Sequence, residues 1–354
     1  MRIICIIIVL FSLIIPLEAK FNIAAYPQFS YSEETGFLAG MISYSRFQFN
    51  DFPKEIPKQK LTVQAVYTSK KQLSLMFEPF LFTKNGVYEF ETEFTYKYFP
   101  SEFYDIGNND FNAESEKYTS QRFSIDLIVK RKIKNAWYLL GFAELYRSNL
   151  KKIQEDGILQ EQLVPGSEPF SIIGLGSGLM YDTRNSATYP TKGELIKLEF
   201  NGYNDLFGSD YNYIQFQFVA SKYFSIAENQ VFAISSNVTF TDDIAPFQKL
   251  PQLGDKLRAY PDEIFINNKL YSLHTEYRVF PFSSKILNRL GFVLFFETGE
   301  VASEVRNFST NNLHCSYGGG FRFSVFTDER FNLRFDIGLC NDHRSFEISG
   351  GEAF

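Results

Sequence analysis

Tyr317-Gly318-Gly319-Gly320-Phe321-Arg322-Phe323-Ser324-Val325 and, after a short break, Phe331-Asn332-Leu333-Arg334-Phe335-Asp336-Ile337 read apolar, polar, apolar, polar. The odd positions carry the aromatic and aliphatic side chains, and the even positions carry Arg322, Ser324, Asn332, Arg334 and Asp336. A strand points successive side chains to opposite faces, so each segment has one apolar and one polar face. A soluble sandwich packs the apolar face inside and wets the polar one. A membrane barrel does the reverse, with apolar side chains on lipid and polar ones in a lumen.

Other stretches decide between the two. Tyr88, Phe90, Phe94 and Tyr96 share one face, and Glu89, Glu91, Glu93 and Lys97 share the other. Ile214, Phe216, Phe218 and Ala220 likewise oppose Gln215, Gln217 and Ser221. Three glutamates along one strand face would be heavily penalised in a dry core, and a wet lumen removes the penalty. Alternation and turn residues mark candidate strands near 22–31, 36–49, 60–69, 71–83, 86–98, 119–133, 135–148 and 170–183. Further candidates lie near 193–202, 211–226, 229–242, 267–281, 287–300, 313–326, 330–341 and 343–354. The total is sixteen, and single-chain bacterial barrels have an even number.

Connections at 99–118, 149–169, 243–266 and 301–312 are long, and all follow odd-numbered strands. Most others are tight turns, with 50–59 a longer one on the short side. Long loops on one rim and short turns on the other characterise outer-membrane barrels. The expected fold class is therefore all-β, a 16-stranded antiparallel transmembrane β-barrel.

Composition agrees. Phe 40 and Tyr 21 in 354 residues suit strands and interface girdles. On a water-facing surface they would promote association. A formal net charge of −6 with interspersed signs gives no basic footprint for nucleic acid. Cys315 and Cys340 have opposite strand parity, whereas a disulfide needs Cβ atoms about 3.5–4.5 Å apart. Two free thiols are expected.

Arg2 precedes an apolar run from Ile3 to Leu17, followed by Ala19 at a candidate cleavage site. The run is shorter than the roughly 20 residues of a spanning helix. Residues 1–19 read as a secretory signal peptide and 20–354 as one barrel domain. The expected location is the outer membrane of a Gram-negative bacterium, reached by the general secretory route, among outer-membrane lipid and lipopolysaccharide.

Gly174-Leu175-Gly176-Ser177-Gly178-Leu179-Met180-Tyr181-Asp182-Thr183-Arg184-Asn185, followed by Tyr189-Pro190-Thr191-Lys192-Gly193, resembles a signature of the bacterial surface antigen family. This is the barrel of BamA/TamA-type outer-membrane assembly and translocation proteins. Leu257-Arg258-Ala259-Tyr260 resembles that family's loop-six motif, with Ala259 where the family has glycine. Phe295-Phe296-Glu297-Thr298-Gly299 resembles its strand-thirteen motif, and Tyr31-Ser32-Glu33-Glu34-Thr35-Gly36 resembles a first hairpin turn of its short members. The resemblance covers essentially the whole chain after the signal peptide, in family order. Strands begin near residue 22, so no length is left for the family's periplasmic POTRA domains, and a short branch lacking them is expected.

The resemblance implies that the loop carrying Arg258 folds back into the lumen. Strand parity points Glu276 and Glu297 inward, so Arg258 is expected to pair with one or both; composition alone would leave it a solvated loop arginine. Asp182 and Arg184 enter a turn that closes at Gly193, with local capping and a rim salt bridge as the two readings. Gly350-Gly351 weaken the last strand. In the assembly members the seam between first and last strands opens laterally, which such a strand would suit; tight backbone packing is the other reading. Phe354 resembles the aromatic end-signal of outer-membrane barrels, and it would also serve as a girdle aromatic.

His274, His314 and His343 are too scattered to suggest a metal cluster. Ser272 and His274 share an inward strand face, but no nucleophile motif surrounds Ser272. No enzyme activity, metal or cofactor is expected. Two functions remain: insertion or translocation of proteins, with client barrels and a periplasmic accessory protein as partners, or a plugged structural barrel or narrow pore for small solutes.

Overall fold

Sixteen antiparallel strands run in sequence order through the computed structural model, which describes residues 20–32, 36–108, 115–242, 245–261, 263–284, 287–326, 330–340 and 343–354. Residues 1–19, expected to be a signal peptide, and Glu33, Glu34 and Thr35 of the expected first hairpin turn lie outside the described residues. The first eight strands are β1 (Lys20–Ser32), β2 (Gly36–Gln48), β3 (Gln59–Thr68), β4 (Leu73–Phe82), β5 (Tyr88–Phe103), β6 (Glu116–Lys134), β7 (Trp137–Lys151) and β8 (Phe170–Asp182). The second eight are β9 (Gly193–Tyr203), β10 (Tyr213–Ala227), β11 (Gln230–Thr241), β12 (Lys269–Val279), β13 (Leu290–Ala302), β14 (His314–Phe326), β15 (Phe331–Leu339) and β16 (Arg344–Gly350). Each is hydrogen-bonded to the next in one sheet. Among the described residues no helix is long and apolar enough to cross a membrane. The fold is a transmembrane β-barrel.

Burial is inverted relative to a water-soluble protein. The largest fully buried side chains include Arg278 and Arg322, while Leu294, Phe321, Phe346 and Ile348 are exposed. Along β12, Leu270, Ser272, His274, Glu276 and Arg278 alternate inward. Along β13, Phe292, Leu294 and Phe296 face out between buried Val293, Phe295 and Glu297. Lipid is the only solvent that makes this arrangement favourable, because apolar surface faced to water costs about 25 cal/mol per Å². Leu294→Arg should therefore cost about 2–4 kcal/mol if position 294 lies near the bilayer midplane. Unfolding in lipid measures this, and a cost below 0.5 kcal/mol would contradict the assigned face.

The glutamates of β5 find the polar setting that alternation demanded. Lys130 on β6 donates to Glu91 at 2.5 Å, and Thr95 donates to Glu93 at 2.8 Å. Cys315 and Cys340 are free thiols.

Most boundaries shift by one to three residues from the sequence reading, and three shifts matter for the site. β5 and β7 extend to Phe103 and Lys151, so the strands stand proud of the rim and the loops between them are shorter. Their ends pack on the returning loop, with Phe103, Tyr118, Leu150, Leu159 and Phe247 forming one buried cluster. The last strand stops at Gly350 rather than Phe354, because Gly351 takes φ +84° and turns the chain inward. L-residues rarely adopt that conformation and glycine does so freely.

The first and last hairpins meet. The Tyr44 ring of β2 lies 4.5 Å from that of Phe331 on β15, with centroids compared. A Cβ at Gly350 would stand 2.9 Å from Tyr44 Cζ.

Candidate functional site

Residues 242–268 form the connection between β11 and β12, and this loop folds back into the barrel. Leu253, Leu257, Ile264 and Phe265 pack with Leu270 and Val301 in one buried cluster. Isolated bridges tie Ile266 to Ile106, Gly107 and Gln252. Lys249 forms an ion pair with Glu144 on β7, whose other oxygen accepts from Tyr203 Oη at 2.6 Å. The loop is thus anchored to the β5–β10 wall before it reaches its arginine.

Arg258 uses every side of its guanidinium. Nε donates to Glu297 Oε1 at 2.7 Å, Nη2 to Glu276 Oε1 at 2.6 Å and Nη1 to Asp336 Oδ2 at 2.8 Å. Its backbone N–H donates to Glu297 Oε2 at 2.8 Å. The planar fork suits such multiple carboxylate contacts, which an ammonium could not reproduce. The guanidinium carbon lies 3.6 Å from the centre of the Phe295 ring. Its side chain is 6% exposed, and the three carboxylates are 0–1% exposed. Burial pulls the arginine's pKa down, but the three carboxylates outweigh it and hold the group above its ordinary value.

The two resemblance motifs fit together around this contact. Leu257 is fully buried in the loop's apolar cluster, and Ala259 N–H donates to Ser316 Oγ at 3.1 Å. Ala259 is absent from the positive-φ residues, so no glycine is required there. The Tyr260 ring packs edge-on against Phe265 at 5.2 Å. From β13, Phe295 supplies the ring beneath the guanidinium and Glu297 the carboxylate. Gly299 leaves space for Leu253, since a Cβ there would stand 2.6 Å from Leu253 Cδ1.

Gly338 makes similar room on β15. A Cβ at 338 would lie 2.6 Å from the Arg258 carbonyl oxygen and 2.8 Å from the Ala259 nitrogen. Gly338→Ala should therefore lower stability by about 1–3 kcal/mol through overpacking. Gly141→Ala is the control, as its Cβ would meet nothing within 4 Å. Equal heat-induced unfolding of the two variants would contradict the tight loop seat.

At the opposite rim, Asp182 and Arg184 make both of the expected interactions. Arg184 N and Nε donate to Asp182 Oδ1 at 2.9 and 3.0 Å, and Nη2 donates to Oδ2 at 2.8 Å. Asn185 Oδ1 caps the backbone of Thr191 and Lys192 at 3.0 and 3.1 Å. The turn closes at Gly193 with φ +99°, where a Cβ would lie 2.7 Å from the Thr183 carbonyl carbon. From this turn Tyr189 packs on Phe280, and Arg330 lies over both rings.

A cavity of about 1410 Å³ occupies the β1–β6 side of the lumen, with Pro261 and Glu263 of the returning loop on its wall. Gln28 and Gln64 line it and are bonded to each other at 3.0 Å. Phe346 and Ile348 of β16 line it too, although they sit on the outer face at 64% and 52% exposure. One cavity thus touches side chains from both faces of the wall beside the seam.

Residues 59–354 match the model of the Omp85 superfamily domain. The chain belongs to the Omp85 superfamily. Among solved structures it is similar to BamA from Haemophilus ducreyi lacking POTRA domains 1–3, with TM-score 0.60 and 13% identity over 94% of this chain and 70% of that one. It is also similar to CdiB from Escherichia coli, with TM-score 0.61 and 11% identity over 94% of this chain and 62% of that one. CdiB from Acinetobacter baumannii follows at TM-score 0.56 and 10% identity, covering 94% and 60%. At such identities the likeness concerns the fold. A sequence comparison with curated proteins found no match.

This Omp85 barrel also contains a serine–histidine–carboxylate line. Ser272 Oγ lies 3.0 Å from His274 Nε2, and His274 Nδ1 lies 3.6 Å from Glu297 Oε1. Ser272 is fully buried and does not line the cavity, and Glu297 is already committed to Arg258. A nucleophile needs access to a reacting carbonyl, so the line supports the lock on Arg258 rather than hydrolysis.

Among the described residues no group of His, Cys, Asp or Glu is placed to hold a metal ion. Phe354 lies inside the lumen over Arg278, 5.2 Å from ring centre to guanidinium, so it is not a girdle aromatic. The sequence reading omitted Asp336, Phe295, Ser316 and Lys249 from the site. Parity already marked Asp336 as inward, but nothing in the sequence placed the other ends of these contacts.

Proposed function

We propose that this barrel inserts or translocates proteins at the outer membrane, with the β1–β16 seam as the lateral path and the Arg258 loop holding the resting lumen. The cavity that reaches both faces of the wall beside the seam carries this reading. β16 supports it, being seven residues long against thirteen in β1 and ending at Gly350, with Gly351 directly after it. A short strand interrupted by glycine is weakly registered and opens at low cost. Client barrels supply the strands that such an edge pairs with, and outer-membrane lipid and lipopolysaccharide supply the surroundings. A periplasmic accessory protein delivers the clients.

The test is reconstitution into liposomes with an unfolded small barrel as client. Folded product, read by heat-modifiable mobility and protease protection, should form at least tenfold faster than on empty liposomes. No acceleration, together with ion conductance that rises when Arg258 is replaced, would make the barrel a plugged pore instead.

A further inference from the structure

Beyond Gly351 the chain enters the lumen at the short-turn rim, and three features of it are held. Glu352 Oε2 accepts from Arg322 Nε at 2.9 Å, and its Oε1 accepts from Asn332 Nδ2 at 2.6 Å. The main-chain oxygen of Phe354 accepts from Arg278 Nη2 at 3.0 Å. The Phe354 ring lies over the Arg278 guanidinium, 6.3 Å from Tyr223 and 6.0 Å from His274. Arg278 and Arg322 are 0% exposed and Glu352 is 2% exposed, so these are desolvated, charge-assisted contacts.

We propose that this floor of the lumen is a peptide-binding site for an acid–any residue–aromatic segment, filled in the resting state by residues 352–354 of the same chain. A carboxylate between Arg322 and Asn332, a main-chain acceptor on Arg278 and an aromatic ring on its guanidinium define the ligand. Arg278 Nη1 and Asn332 Oδ1 are buried without a protein partner, leaving a donor and an acceptor for a second peptide to use. The occupant follows Gly351, whose N–H still donates to Asn332 O of β15 at 2.8 Å, so it can leave by rotation beyond that residue without unpairing β15. Its tethering gives an effective concentration of about millimolar, which a segment in trans must exceed.

The site is wired to the loop by two hydrogen-bonded arms that the main chain of residues 352–354 joins into a ring. Arg258 holds Glu276, whose other oxygen accepts from Arg278 Nε at 2.7 Å, and Arg278 holds Phe354. Glu352 binds Arg322, which donates to Asp336 Oδ1 at 2.6 Å, and Asp336 returns to Arg258. Emptying the floor frees donors on Arg278 and Arg322 that polarise the carboxylates of the lock. Occupancy below and loop order above are therefore coupled, and linkage makes the coupling reciprocal. The site stands whether or not the barrel inserts proteins.

The test uses purified barrel ending after Gly351 and a labelled peptide Gly-Gly-Glu-Ala-Phe. The shortened chain should bind it at least tenfold more tightly than the full chain, and a peptide with Gln for Glu should bind at least tenfold more weakly. Bound peptide should also restore hydrogen-exchange protection to residues 253–260. Should the shortened chain fail to fold, the full chain carrying Glu352→Gln and Phe354→Ala keeps every strand and should give the same pattern. Equal binding by altered and full chains, no binding, or indifference to the Glu–Gln change would overturn the proposal.

Discussion

Arg258→Ala should lower the stability of the folded barrel by roughly 3–5 kcal/mol, the cost of removing one partner from a buried ionic cluster. Glu276, Glu297 and Asp336 would then face one another with side chains 0–1% exposed and their common counter-ion gone. Arg278 still holds Glu276, and Arg322 and Arg334 still hold Asp336, but Glu297 keeps only His274 at 3.6 Å and the backbone N–H of residue 258. Residues 253–260 should lose hydrogen-exchange protection, and client insertion should fall at least tenfold. Arg258→Lys restores charge without the fork, so it should recover less than half of the stability. Arg306→Ala is the control: its pair with Glu304 is 79% and 55% exposed, and such surface pairs contribute about 0–1 kcal/mol. Equal behaviour of Arg258→Ala and Arg306→Ala in heat-induced unfolding would show that the loop is not held by its arginine.

Joining positions 44 and 331 with a short cleavable crosslinker should slow client insertion at least tenfold, and cleaving the linker should restore it. The chain would carry Tyr44→Cys and Phe331→Cys, with Cys315→Ser and Cys340→Ser removing the two native thiols. These positions flank the seam and their rings are 4.5 Å apart, so the link spans the seam without distorting the wall. A matching link between positions 200 and 216, whose rings are 4.9 Å apart on β9 and β10, should change nothing. Full activity with positions 44 and 331 joined would remove the seam from the mechanism.

Most of the fold was legible because lipid and lumen impose opposite demands on alternate residues. Parity along β12 and β13 sorts Glu276, Arg278 and Glu297 to one side, and a one-residue slip would put each of them in lipid. What parity cannot give is distance around the lumen. Asp336 stands three strands from Glu276 in the sheet order, and only closing the curve brings both to Arg258. The inward turn after Gly350 was legible only as two glycines. Where Glu352 and Phe354 go depends on Arg278, Arg322 and Asn332, which come from three other strands. Loop anchors such as Lys249 on Glu144 follow no period at all, because a loop's path has none.

Insertion through the seam is the central claim, and depleting this protein in its native host tests it most directly. Quantitative proteomics of the outer membrane should show several other barrels falling before growth fails, with lipoproteins of the same membrane unchanged. An outer membrane whose barrel content stays constant as this protein disappears would contradict the claim.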